Sequence, residues 1–118
     1  MDKDKETWEQ TMKHTEAELQ VEVVKYLRDH CVPVFAVRNE RNEGMADAVR
    51  SEKMGRAKGA PDLIAGKGGK SYWLELKTKT GKQSPEQECF EFLAPSFGAR
   101  YLIVRSIQDV EEIIYGNS

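Results

Sequence analysis

The segment from Tyr72 to Lys77 constrains the fold of this chain more than any other stretch. An apolar residue stands at every second position, which predicts a β-strand whose successive side chains point to opposite faces. Glu75 and Lys77 therefore lie on one face, roughly 6.6 Å apart along the strand. Apolar residues 63–65 and the glycine-rich residues 66–69 precede this strand, so the two segments are predicted to pair as a β-hairpin.

Asp62 comes directly before this hairpin and can converge with Glu75 once the hairpin forms. Two interpretations stay open on these residues alone. In one, Asp62 caps a turn after Pro61, while Glu75 and Lys77 lie on the solvent face of an edge strand. In the other, the two carboxylates and a backbone carbonyl bind Mg²⁺ through oxygen, and the lysine orients or helps to deprotonate a water molecule that attacks phosphorus.

An amphipathic first helix is predicted from Thr15 to about His30, because Thr15 and Glu18 have the spacing of a capping box. Its apolar stripe at helical spacing contains Leu19, Val23, Tyr26, Leu27 and His30. Glu16 and Gln20 fall inside the same stripe. Since polar groups that face a core need partners, one of these two is predicted either to join a buried hydrogen-bond network or to reach the candidate site.

The remaining segments predict an α/β domain. The first strand is expected within Val32–Val37, and a helix is expected to start at Ser84. The continuous apolar run Tyr101–Val104 is typical of a strand buried on both faces, and Ser106 is expected to cap a last helix. The order is α-β-β-β-α-β-α, a mixed central sheet flanked by helices.

A chain of 118 residues fits one domain, which we place at residues 15–118 after a flexible arm at residues 1–14. The second helix is expected to supply core contacts through Cys89, Phe90, Phe92 and Leu93. Cys31 and Cys89 are both expected to be buried thiols, because no Cys or His spacing indicates zinc.

Basic residues are concentrated in the middle of the chain. Residues 38–82 carry 11 basic and 6 acidic side chains, a net charge of +5, whereas the flanking segments carry −3 and −4. Within the polar stretch 38–58, residues Met45–Met54 are expected to form a short helix. A solvated loop explains such a composition, but basic residues around an acidic metal site are also what a phosphodiester substrate needs. The candidate DNA contacts are Arg38, Asn39, Arg56, Lys58, Lys79 and Lys82.

The motif residues resemble a known nuclease pattern. Pro61-Asp62, a spacer and Glu75-x-Lys77 resemble the PD-(D/E)xK signature, and the flanking Gly59 together with Gly81-Lys82-x-Ser84-Pro85-x-Gln87 is similar to its VRR-NUC branch, in the stand-alone, virus-type form. The resemblance covers Thr15 to Tyr115. It implies a restriction-endonuclease-like core and a metal-dependent nuclease.

The resemblance also implies roles for individual residues. Asp62, Glu75 and the backbone carbonyl of Leu76 would hold Mg²⁺, for which Mn²⁺ is expected to substitute, and Lys77 would position or activate the attacking water. Gln87 would border the active site, although as the third helical residue after Ser84 it also fits a capping box. In the resembled families an acidic residue of the first helix completes the site, and both Glu16 and Gln20 stay open as that residue.

The function expected from this resemblance is a structure-selective DNA endonuclease with a role in DNA repair. Because the chain is small and free-standing relatives resolve Holliday junctions, four-way-junction resolution by a homodimer is the leading expectation. The alternatives are a flap or general DNA nuclease in replication or repair, a non-catalytic nucleic-acid-binding module, and a structural partner domain.

Membrane and secretory functions are disfavoured by the sequence. No apolar run approaches the roughly 18 residues of a membrane span, and the charged N-terminus lacks the apolar segment of a signal peptide. We therefore expect a soluble cytoplasmic protein that acts on DNA without a small-molecule cofactor.

Overall fold

The computed structural model describes residues 15–37, 53, 55 and 57–116. The elements in chain order are helix α1 (Glu16–Asp29), strands β1 (Val34–Ala36), β2 (Leu63–Lys67) and β3 (Lys70–Leu76), helix α2 (Pro85–Leu93), strand β4 (Ala99–Val104) and helix α3 (Glu111–Tyr115). Their order is the one predicted from the sequence. The expected arm at residues 1–14 and the expected helix at Met45–Met54 lie outside the described residues, apart from the helical Lys53.

Helix α1 begins as its capping residues predict, because the Thr15 hydroxyl oxygen accepts a 3.0 Å hydrogen bond from the Glu18 N–H. The buried stripe of α1 consists of Leu19, Val23 and Leu27. His30, which the periodicity assigned to this stripe, is exposed instead. His30 is the C-cap residue of α1, and its ring packs on that of Tyr26 at the end of the helix, 4.4 Å away, instead of entering the core.

The predicted hairpin forms between β2 and β3. Its two-residue connection is Gly68-Gly69, with φ angles of 60° and 79°, a left-handed conformation that glycine adopts without a Cβ penalty. The sheet of the described residues has the order β1-β2-β3-β4. β1 pairs with β2 and β2 with β3 in antiparallel fashion, while β4 pairs with β3 in parallel fashion. The sheet is therefore mixed, as expected.

The two faces of the sheet are covered by different helices. One face carries the main core, in which Leu63, Leu74 and Val104 are fully buried against residues of α1 and of the C-terminal segment. The opposite face carries Trp73 and Glu75 and is contacted by α2. Because β3 lies between β2 and β4 and Glu75 is buried, Glu75 is not a solvent-facing residue of an edge strand.

Helix α2 contributes less to the core than its sequence predicts. Cys89, Phe92 and Leu93 are exposed, with Phe92 83% accessible, and only Phe90 is half-buried, its ring 6.1 Å from that of Trp73. The prediction that Cys89, Phe92 and Leu93 contribute core contacts is therefore wrong. A nine-residue helix that meets the sheet along one narrow side leaves its other apolar residues in solvent.

The cysteine prediction is also wrong, since Cys31 and Cys89 are both exposed. Cys31 lies just past the end of α1 with a φ angle of 59°, and Cys89 lies on the side of α2 that faces away from the sheet.

Strand β4 is an edge strand of the described sheet, so Tyr101, Leu102 and Ile103 are half-buried rather than enclosed on both faces. The predicted cap at Ser106 is present as a capping box with Asp109. It starts the short 3-10 turn Ile107–Val110, which leads into α3. No helix among the described residues is long and apolar enough to cross a membrane.

Candidate active site

Two buried carboxylates meet at the end of the hairpin. The Asp62 N–H donates a 2.9 Å hydrogen bond to the Leu74 carbonyl, which holds Asp62 against β3 directly before β2 begins. Its side chain interacts with that of Glu75, whose pKa it raises. Asp62 is 8% exposed and Glu75 is 1% exposed, so neither is a surface charge. The convergence predicted from the hairpin is therefore present.

Backbone hydrogen bonds fix Asp62 on both sides. Its Oδ2 accepts a 2.8 Å bond from the Leu76 N–H in β3, and its carbonyl accepts a 2.9 Å bond from the Val37 N–H at the end of β1. A carboxylate held by a backbone donor has a defined orientation. Asp62 is thus hydrogen-bonded to β3 and to the end of β1 directly before β2 begins, rather than acting as a turn cap.

Glu75 is an unusual buried acid. Its Oε2 accepts a 2.8 Å hydrogen bond from Gln87 Nε2, while its Oε1 is buried and accepts no hydrogen bond. Burial first, and the negative charge of Asp62 second, raise the pKa of Glu75 from 4.5 to about 8. The charge of Lys77 opposes this pKa shift and that of Glu16 adds to it.

The donor set fits a hard divalent cation. Mg²⁺ prefers oxygen ligands, keeps several waters and is held by one or two carboxylates, which matches Asp62, Glu75 and the nearby Leu76 carbonyl. A cation here would satisfy the unpartnered Oε1 of Glu75 and offset the repulsion between the two carboxylates. Among the described residues, no group of three or more His, Cys, Asp or Glu side chains could hold a metal.

Glu16 and Gln20, the two candidate residues of the first helix, differ in their electrostatic effect on the pair. Both side chains are half-buried, as their positions in the stripe predict. The negative charge of Glu16 raises the pKa of Glu75, whereas Gln20 has no charge to act in this way. Glu16 does not join the two carboxylates in one ligand group of the described residues.

Lys77 follows β3 directly and remains tied to the sheet, because its N–H donates a 2.9 Å hydrogen bond to the Val104 carbonyl of β4. The side chain is half-buried. Its stem passes close to Gly81, where an added Cβ would lie 3.4 Å from Lys77 Cδ. The positive charge of Lys77 lowers the pKa of Glu75, so the two side chains interact electrostatically.

Gln87 combines the two roles that the sequence presented as alternatives. Its Oε1 accepts a 2.8 Å bond from the Ser84 N–H, and its own N–H donates a 3.2 Å bond to Ser84 Oγ, which completes the capping box. Its Nε2 simultaneously donates to Glu75. The cap thus aims the amide at the site, and the start of α2 becomes part of the wall around the buried acid.

Gly59 allows the segment before Asp62 to pack on the start of α2. Its φ angle is 87°, and a Cβ added there would lie 2.6 Å from Glu86 Cβ and 2.9 Å from the Gln87 nitrogen. Only glycine fits both the backbone conformation and this approach. The contact joins the Asp62 segment to the helix that carries Gln87.

Arg105 and Tyr101 belong to the surroundings of the site and were not identified from the sequence. Arg105 Nη1 donates to the carbonyls of Thr78 and Lys79, at 2.6 and 3.2 Å, and so fixes the loop after Lys77. Tyr101 lies on the same face as Glu75, and burial and the charge of Glu75 raise the pKa of its hydroxyl. No sequence signal marks either residue, because both reach the site through the β3–β4 pairing.

Three of the predicted DNA-contact residues are described, and all three are exposed: Lys58, Lys79 and Lys82. Lys58 precedes the segment that leads into Asp62, and the other two lie on the loop between Lys77 and α2. Arg38, Asn39 and Arg56 lie outside the described residues.

Two solved structures resemble this chain over most of its length. One, titled "VRR_NUC domain", has a TM-score of 0.62 at 21% sequence identity, covering 87% of this chain and 97% of the other. A second, titled "VRR_NUC domain protein", has a TM-score of 0.65 at 21% identity, covering 86% and 85%. The chain therefore has the fold of these domains, as the sequence resemblance implied. No protein-family model and no curated protein matches the sequence.

Proposed function

We propose that this chain, which shares its fold with VRR-NUC domains, is a Mg²⁺-dependent DNA endonuclease that hydrolyses phosphodiester bonds. One observation carries the proposal: Asp62 and Glu75 interact in a buried position, and one oxygen of Glu75 has no hydrogen-bond partner. A buried carboxylate oxygen without a partner costs folding free energy. Such an oxygen is expected where a cation completes the site.

The roles of the protein side chains follow from their contacts. Asp62 and Glu75, with the Leu76 carbonyl, would hold Mg²⁺, which when bound stabilises negative charge on the phosphate in the transition state. Gln87 holds Glu75 in orientation through its amide. Lys77, beside the pair, positions the attacking water and favours its deprotonation.

DNA as the substrate is supported by the charge distribution. The acidic pair would repel a polyanion on its own, but the loops next to it expose Lys58, Lys79 and Lys82. These lysines can bind phosphates on either side of the bond that is cleaved. A domain of this size presents a small surface, so we propose a four-way junction cleaved by a homodimer as the preferred substrate and assembly. Flap or general endonuclease activity is the alternative.

A cleavage assay tests the proposal directly. Labelled four-way junctions, flaps and linear duplexes are incubated with Mg²⁺, Mn²⁺ or EDTA. We expect cleavage with either metal ion and none in EDTA. Asp62→Asn and Lys77→Ala are expected to abolish it, while Asp29→Asn, which changes an exposed aspartate paired with Lys25, should not. Full activity of either site variant would refute the assignment.

Metal binding can be measured without activity. Because a ligand of the folded state stabilises the protein, Mg²⁺ should raise the Tm of the native chain and of Asp29→Asn but not of Asp62→Asn. DNA binding that survives EDTA, with no product under any metal ion, would instead identify a non-catalytic binding module. Light scattering decides between the proposed dimer and a monomer.

A further inference from the structure

One row of side chains crosses the whole described sheet next to the carboxylate pair. Cross-strand pairing joins Phe35 to Ile64, Ile64 to Trp73 and Trp73 to Tyr101. These residues share the sheet face of Glu75, which is two residues from Trp73 along β3. The row therefore lies two residues along the strands from Asp62 and Glu75.

Trp73 and Phe35, two aromatic members of this row, have different environments. Trp73 is covered by rings from α2 and the following turn, with centroid distances of 6.1 Å to Phe90 and 5.2 Å to Phe97. Phe35 lies two strands from β3, at a distance of roughly 10 Å. The rings that pack on Trp73 do not enclose it, and it is 61% exposed. An aromatic ring is thus presented to solvent on the face of the acidic pair.

Phe35 is also within reach of a nucleotide bound at the site. The N–H of Val37, two residues after Phe35, donates a hydrogen bond to the backbone carbonyl of Asp62, so the end of β1 is paired with the segment that carries this carboxylate. One strand spacing and a two-residue rise separate the Cα atoms of Phe35 and Asp62 by ~8 Å. This separation is comparable to the distance between a phosphate and the base of a neighbouring nucleotide.

We propose that Phe35 stacks on a base next to the cleaved phosphate that has left the helical stack, as bases do at the branch point of a junction or a flap. The proposal rests on the proposed function, because it takes the acidic pair as the phosphate site. Aromatic rings bind the faces of bases that are not stacked in a duplex, without regard to sequence. The half-buried Ile64 supports the ring from the adjacent strand.

The test combines a protein change with a DNA change. Single-turnover cleavage is measured on a flap whose cut site has been mapped, and on the same flap with an abasic residue next to that site. Phe35→Ala is expected to slow cleavage of the intact flap by about 5- to 100-fold, the usual range for loss of one stacked base. The abasic residue should slow the native enzyme similarly but leave Phe35→Ala unaffected, and Phe35→Trp should restore the native rate.

Phe92→Ala serves as the matched control, since Phe92 is a more exposed phenylalanine on α2. Native rates for Phe35→Ala, with Asp62→Asn inactive, would overturn the stacking proposal and leave the nuclease assignment intact. If the native chain cuts no DNA, binding of the same two oligonucleotides is measured by fluorescence anisotropy in Ca²⁺. Equal Kd values for the native protein and Phe35→Ala would then overturn the proposal. If Phe35→Ala differs from the native protein in molecular mass in solution, and its cleavage rate shows no loss that depends on the base, the ring belongs to a protein interface instead.

Discussion

Replacing Glu75 with glutamine should change how the stability of the metal-free protein depends on pH. Burial and the charge of Asp62 raise the pKa of Glu75 from 4.5 to about 8. The folded chain therefore keeps this proton at pH values where the unfolded chain has released it. Since the folded state binds more protons between these values, the free energy of unfolding falls as pH rises from about 4.5 to about 8.

The size of the effect follows from the pKa difference. Each pKa unit corresponds to about 1.4 kcal/mol, so the shift of Glu75 corresponds to at most roughly 5 kcal/mol lost over this pH range. Glutamine is neutral at every pH, nearly isosteric, and still offers a carbonyl oxygen to Gln87. Glu75→Gln should therefore match the native protein near pH 4.5 and exceed its stability by about 2–5 kcal/mol at pH 9.

Urea unfolding in EDTA at several pH values between 4.5 and 9 measures this difference. The native protein and Glu75→Gln are compared at each pH, so that titration of all other groups cancels. Glu88→Gln, at an exposed position on α2, is the control and should give a flat difference profile. If the difference in the free energy of unfolding between the native protein and Glu75→Gln is equally independent of pH, Glu75 is not a buried carboxylic acid that stays protonated in the folded state.

The other predictions concern the frame around the site. Gly59→Ala should lower the free energy of unfolding by about 2–4 kcal/mol, because it adds a steric clash to backbone strain. Gly68 also has a positive φ but has open space around it, so Gly68→Ala should lower the free energy of unfolding by only about 1–2 kcal/mol. Arg105→Ala should lower the cleavage rate on saturating DNA by about 10- to 100-fold through loss of the loop contacts, while Arg100→Ala, which removes an exposed ion pair, should not. Gln87→Ala removes a hydrogen-bond donor to the buried Glu75 carboxylate. In urea unfolding it should lower the free energy of unfolding of the protein by about 1–3 kcal/mol and shift the pH dependence of that free energy to higher pH. An unchanged pH dependence would contradict this prediction.

Local signals predicted the elements and the acidic pair well. The caps at Thr15, Ser84 and Ser106 and the period-two alternation of β3 depend on neighbours a few residues away, and all of them appear in the structure. The hairpin between β2 and β3 also joins near neighbours, so the meeting of Asp62 and Glu75 could be inferred before any distance was known.

Burial was predicted less well, because it depends on which element lies opposite. Phe92 has the residue type of a core position, yet nothing in the described chain covers its side of α2, and it is 83% exposed. Glu75 has the residue type of a surface position, yet β2, β4 and α2 enclose it. Composition and periodicity carry no information about such neighbours when they come from distant parts of the chain.

The sequence by itself determined the order of helices and strands, the hairpin register and the presence of two acids and a lysine at one end of it. The tertiary structure alone decided that Gln87 donates to Glu75 and that Arg105 holds the loop after Lys77. These contacts join residues 12 and 27 positions apart. They exist because β4 pairs in parallel with β3 and α2 packs on the same face as Glu75, and such packing is set by the shape of the whole core rather than by local hydrogen bonding.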